Sequence, residues 1–177
     1  SAPTPIVASR RNSRVPALGE NIPFTLDNYR YKDSFGREAM IYVRKFKFPQ
    51  VERRFDTVMV YSDKKGRAVD YQGSRHDMVI DLDISVLDNG GLRIRSGDGK
   101  LLLGPIHVPM PAALTGIFTG DGYYDEDEGR FRIQVEVTNA LMGPLFRYRG
   151  YYETEYFDVE PGELPEEYRP LREDSRE

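Results

Sequence analysis

The chain has 177 residues, enough for one domain with a sizeable core, and carries a net charge of −4 with an isoelectric point near 5.4. That balance argues against a general binder of phosphate backbones. The absence of cysteine excludes disulfides, thiol catalysis and thiolate metal sites.

No apolar run approaches the roughly 20 residues that a membrane-spanning helix needs. The expectation is therefore a cytoplasmic protein that inserts into no membrane and binds no nucleic acid. Twelve Tyr, nine Phe, 16 Gly and 12 Pro favour strands and turns over long helices.

Residues 1–18 are punctuated by Pro3, Pro5 and Pro16 and carry Arg10, Arg11 and Arg14, which predicts a flexible N-terminal arm. A single β domain is expected over residues 19–157. Its first block, Gly19 to Gly36, reads as irregular structure or one short strand. From Glu38 the strands are plainer. Met40, Tyr42, Phe46 and Phe48 share one parity with Arg44, and Pro49 closes that strand. Phe55, Thr57, Met59 and Tyr61 mark a second, and Asp63-Lys64-Lys65-Gly66 is a polar turn into a third over Arg67 to Gln72. Ile80, Leu82, Ile84 and Val86 alternate with polar residues.

Asp88-Asn89-Gly90-Gly91 is the strongest hairpin signal, since these residues tolerate positive φ. Leu92 and Ile94 then lead to a turn at Gly97-Asp98-Gly99 and another strand over Leu101 to Val108. A single helical turn is expected at Ala112 to Gly116, and a strand over Ile117 to Tyr124. Phe131, Ile133, Val135 and Val137 alternate with Arg130, Arg132, Gln134 and Glu136. After a turn over Asn139 to Pro144, a last strand puts Phe146, Tyr148, Gly150 and Tyr152 on one side. Residues 158–177, rich in Glu and Pro, read as an exposed acidic tail with one short helix.

The fold class expected is mainly β with few helices. About eight or nine strands would form a strongly curved antiparallel meander, a barrel or half-barrel of lipocalin-like shape, because a flat meander exposes two edges.

Arg44 is the most informative side chain. On the core face it would anchor a ligand carboxylate or phosphate in a cavity. The simpler account is a bulge that flips the parity, or a buried pair with a carboxylate such as Asp70. His76 sits in a polar neighbourhood, Asp70 to Asp77, able to hold an acid–base pair or contribute to a metal site. His107 is too distant for a paired-histidine motif, and a solvated loop explains the segment more simply.

The acidic run Asp125 to Glu128 fails the calcium-loop template, which needs an oxygen side chain and a glycine where Gly129 and Arg130 stand. Gly99-Lys100 lacks the rest of a phosphate loop. Arg147-Tyr148-Arg149 interleaves charge and aromatics, but strand alternation separates the arginines from the Tyr148 ring.

From Gly19 to about Tyr156 the sequence resembles a bacterial family known as domain of unknown function 4166. The resemblance rests on GENIPFTLDNYRYKDSFGRE, Tyr42-Val43-Arg44-Lys45-Phe46, RRFDTVMVYS, VDYQG, GGLRIRSG, YYDEDEGRFRIQVEV and GPLFRYRG, in that order. Some members are fused behind a dehydrogenase-like domain, others stand alone, and the family has no agreed activity. Arg44, Asp70, Gly73, Gly143, Tyr148 and Gly150 match its pattern. Relatives carry further sequence before the GENIPF block, and tend to show His where this chain has Arg75 and Asp77. That departure argues against a histidine-based site.

The leading functional expectation is a non-catalytic β domain that takes a small apolar or anionic ligand. Tyr42, Arg44, Phe46, Asp70, His76 and Tyr148 are its candidate contacts. One alternative is an accessory module that docks on a partner enzyme or membrane protein. Another is an enzyme with Arg44, Asp70 and His76 in one pocket. No catalytic residue, metal ligand or cofactor is assigned.

Overall fold

A computed structural model of the chain describes residues 6–17, 20–159 and 164–177. Eleven antiparallel strands dominate it: β1 (Ile6–Ala17), β2 (Glu20–Lys32), β3 (Glu38–Lys47), β4 (Glu52–Ser62), β5 (Arg67–Gln72), β6 (Met78–Val86), β7 (Leu92–Leu103), β8 (Ile106–Met110), β9 (Ile117–Asp125), β10 (Arg130–Asn139) and β11 (Gly143–Val159). A single helical turn, α1 (Ala112–Thr115), precedes β9. The hydrogen-bonded order is β6-β5-β4-β3-β2-β1-β11-β10-β9-β7-β8, and β6 also pairs with β7. The pairings therefore lead from β6 through the whole sheet and return to it, with β8 attached to the far half of β7.

The turns follow their local chemistry. Gly90 takes the left-handed φ of 78° in the β6–β7 turn, where the Leu87 N–H donates to the Gly91 carbonyl at 2.8 Å. The Asn139 side chain accepts from the Leu141 and Met142 N–H groups at 2.8 and 3.1 Å, which fixes the β10–β11 turn. In the acidic turn the Asp125 carboxylate accepts from the Glu128 N–H, and Arg132 pairs with both side chains. These carboxylates thus have protein partners. Among the described residues no group of three or more His, Asp or Glu could hold a metal ion.

The sheet has two unlike faces. Ile41, Val43, Val58, Val60, Val69, Tyr71 and Val79 form the main hydrophobic cluster on one face, together with Leu164 and Tyr168 from the end of the chain. The segment 164–177 lies across this face as a strap. The Tyr168 hydroxyl donates to Asp27 at 3.0 Å, and its ring meets that of Tyr29 at 4.9 Å. Further along the strap, Glu173 accepts from the Tyr31 hydroxyl, and Glu177 accepts from the Ser62 and Tyr71 hydroxyls. Arg37 donates to the Asp174 carbonyl at 2.7 Å. The other face bears the alternate residues, and there Phe24 and Leu26 gather Tyr42, Phe46 and Tyr148.

Four expectations change. The predicted N-terminal arm contains β1, which pairs with both β2 and β11; residues 1–5, 18 and 19 lie outside the described residues. Main-chain pairing on two sides needs no apolar alternation, so composition alone did not reveal this strand. The block before Gly36 is one strand of 13 residues. It buries Phe24 and Leu26 on one face and Tyr29 and Tyr31 on the other, and so lacks the half-wet period-two signature.

The turn expected at Gly97-Asp98-Gly99 is a bulge within a continuous β7, where the pairing with β6 shifts between Ile80 and Leu82. Finally, of the exposed tail expected over 158–177, residues 158 and 159 end β11, 160–163 lie outside the described residues, and 164–177 form the strap, with Leu164, Tyr168 and Asp174 buried and a short 3-10 helix at Glu166–Tyr168. It is anchored by hydrogen bonds more than by apolar content.

Candidate functional site

Strand β3 presents Tyr42, Arg44 and Phe46 on the face opposite Ile41 and Val43. Cross-strand pairing sets Leu26 and Phe55 beside Arg44, and Asn28 and Thr57 beside Tyr42. On β4 and β5 the same face continues through Thr57 to Gln72 and through Met59 to Asp70. Tyr148 belongs to β11, which is separated from β2 by β1, yet it packs against the Phe24–Leu26 cluster. In a flat sheet, strands two apart along the order stand about 10 Å from one another, and the register sets Tyr152, four residues beyond Tyr148, level with Phe24 through Ser13. The Tyr148 ring reaches β2 because the sheet curves this face inward.

The Arg44 guanidinium lies 5.5 Å from the Tyr42 ring centre and 5.7 Å from that of Phe55, a double cation–π arrangement. Its Nη1 donates to the Thr57 hydroxyl at 3.2 Å, and that is its one hydrogen bond among the described residues. A guanidinium has five N–H donors, so most of its capacity is unspent. Burial raises the Tyr148 hydroxyl above its ordinary range, while the charge of Arg44 works against that rise.

Asp70 is only 8 % exposed. Gln72 donates to its Oδ2 at 2.5 Å, whereas its Oδ1 accepts no hydrogen bond from the described residues. Burial pushes its carboxyl up to about 6, and the Arg44 charge opposes the shift. Arg44, Thr57, Asp70 and Gln72 thus form one polar group set among aromatic and aliphatic side chains.

His76 stands elsewhere. It occupies the β5–β6 turn with φ of 51° and stacks on Tyr71 at 4.9 Å, on the strap side of the sheet. Tyr71 and Asp70 are successive residues of one strand and point to opposite faces. The expected solvated loop is corrected here: His76 is 1 % exposed. Arg172 of the strap donates to its carbonyl at 3.3 Å. Neither ring nitrogen has a hydrogen-bond partner among the described residues, and burial holds the imidazole down near 4. The structure therefore brings Arg44, Asp70, Tyr42, Phe46 and Tyr148 to one face and leaves His76 on the other.

Sequence reasoning passed over Thr57 and Gln72. Their parity with Met59 and Asp70 was the available signal. It also missed a cavity of about 170 Å³ beneath α1, whose walls include Met78, Ile80, Met110, Phe118 and Val137.

Comparison with known proteins bears on this face directly. The family model described as domain of unknown function 4166 matches residues 3–152, a span that includes every residue of the polar group. The chain belongs to this family. The chain is 33 % identical over 137 residues to the uncharacterised protein YndH of Bacillus subtilis (strain 168), an overlap covering 77 % of this chain and 67 % of that one. No solved structure matches it. For this member of domain of unknown function 4166, membership supplies no activity, and functional inference must come from the site.

Proposed function

We propose that this protein is a non-catalytic, barrel-like β domain that binds a small, partly apolar ligand on the inward-curving face, with Arg44 receiving an anionic or hydrogen-bond-accepting head. The carrying observation is the guanidinium of Arg44, which sits over two aromatic rings and spends one of its five donors on Thr57. A carboxylate beside it would take a bidentate, charge-assisted pair where the surroundings are mostly apolar. Phe24, Leu26, Phe46 and Tyr148 supply contact for the ligand body.

The test is an NMR titration of the folded chain with benzoate. Shifts should concentrate at Tyr42, Arg44, Thr57 and Tyr148, and Arg44→Met should weaken binding about tenfold or more. An absence of shifts at millimolar benzoate, or equal affinity in the variant, would contradict the proposal.

Leu141, Met142 and Leu145 support a second reading as a docking module, because they stand exposed together around the β10–β11 turn. In that case replacing them with Ser would abolish partner association and leave benzoate binding unchanged.

A further inference from the structure

The cavity beneath α1 lies closer to the polar group than the chain order suggests. Asp70 is the direct cross-strand partner of Ile80, and Gln72 is the partner of Met78. Ile80 and Met78 are cavity walls. Side chains directly opposite one another on adjacent strands have Cβ atoms about 5 Å apart and share a face. The buried Asp70 Oδ1, which has no partner among the described residues, is therefore one strand step from an apolar void.

The cavity is partly open to its surroundings. Its volume of about 170 Å³ is close to that of a ~150 Å³ apolar cavity that admits benzene. Its main walls are two methionines, Ile80, Val137 and the Phe118 ring, with Thr115 and Gly116 closing it from α1. Its Ser96 hydroxyl is already engaged by the Phe118 N–H at 2.9 Å. No charged side chain lines the cavity among the described residues, while the Asp70 Oδ1, one strand step away, has no hydrogen-bond partner among them.

We infer that the cavity and Asp70 form one subsite for a ring-sized apolar group bearing a hydrogen-bond donor, an amine or a hydroxyl, at its edge. This deepens the reading above and rests on it for the position of the head group. The donor of the ligand meets Asp70, and any acceptor beside it meets Arg44 through the Thr57 end of the same polar group. The ligand class is then a small aromatic or branched aliphatic molecule with donor and acceptor on one side, and not a long-chain fatty acid.

The methionines make the test direct. In protein labelled with ¹³C at the methionine methyls, Met78 and Met110 report on the cavity and the exposed Met142 serves as a control. Toluene and benzylamine are titrated separately at pH 7.5. Both should shift Met78 and Met110 but not Met142. Benzylamine should bind about tenfold more tightly than toluene, as expected for a hydrogen bond to a charged group. In Asp70→Asn that preference should fall to near unity while toluene binding persists. In Val137→Phe, which fills the void, both probes should lose their effect.

The inference is overturned if neither probe moves Met78 and Met110, or if the benzylamine preference survives in Asp70→Asn. A protein that ignores benzoate yet binds benzylamine through Asp70 would refute the Arg44 reading alone.

Discussion

Two buried titratable residues on opposite faces of the sheet pull the acid stability of this protein in opposite directions. Asp70 has its carboxyl raised to about 6 by burial, so the fold disfavours its charged form. Its contribution is fully present below the ordinary carboxyl range near pH 4 and is lost as pH rises through 6. His76 is held down to about 4, so the fold favours its neutral form. Its contribution is present above the ordinary imidazole value near 6.5 and is lost as pH falls towards 4.

Each shift corresponds to roughly 3 kcal/mol at about 1.36 kcal/mol per pH unit, so the two nearly cancel between pH 4 and 6. Single substitutions separate them. Asp70→Asn should be at least as stable as the parent at pH 7.5, and should lose stability steeply on acidification. His76→Phe keeps the stack on Tyr71 and should instead gain stability as pH falls from 6.5 to 4. Urea melts across that range would measure both slopes, and parallel slopes in the two variants would refute the assignment.

At the level of single elements, the β6–β7 hairpin was the most legible part of the chain and the strap the least. Asp88-Asn89-Gly90-Gly91 announced its turn because positive φ is a local requirement, met at Gly90. Strands β3, β6 and β10 were legible because each alternates along a face, and parity placed Arg44 beside Tyr42 and Phe46 correctly. The outer ends of the same strands were misleading: Ile84 keeps the alternation of β6 but is 45 % exposed near the hairpin tip. What could not be read was what covers a face. His76 resembled a loop residue because the strap that buries it is almost 100 positions further on.

Two substitutions test these elements. A Cβ at Gly91 would stand 2.6 Å from the Tyr123 Cβ and 2.7 Å from the Gly122 carbonyl oxygen. Gly91→Ala should therefore destabilise the protein by about 1–3 kcal/mol, the range for forced overpacking. Tyr168→Ala removes the ring from the main cluster and should cost about 3–5 kcal/mol. A strap that contributed nothing would leave the denaturation midpoint of Tyr168→Ala unchanged.

The molecule as a whole depends on curvature. Strand β6 pairs with β5 on one side and β7 on the other, so the two halves of the meander meet, and an inward face forms. That face holds Arg44, Thr57, Asp70 and Gln72 among aromatic rings, and Asp70 and Gln72 are cross-strand partners of Ile80 and Met78, which line the cavity. Curvature is also why the site was only partly visible in sequence: the parity of each strand can be read locally, but which strands face each other across the interior cannot.

Tyr148 is the most sensitive witness, since β11 and β2 are not adjacent, Tyr152 and not Tyr148 is level with Phe24 in the register, and the Tyr148 ring nonetheless packs on the Phe24–Leu26 cluster. A nuclear Overhauser spectrum of selectively labelled protein measures that contact directly. The predicted result is strong cross-peaks between the Tyr148 ring protons and the Leu26 methyls. Cross-peaks from Tyr148 confined to the adjacent strand positions, such as Val135, would mean that the sheet lies open and that no shared interior exists.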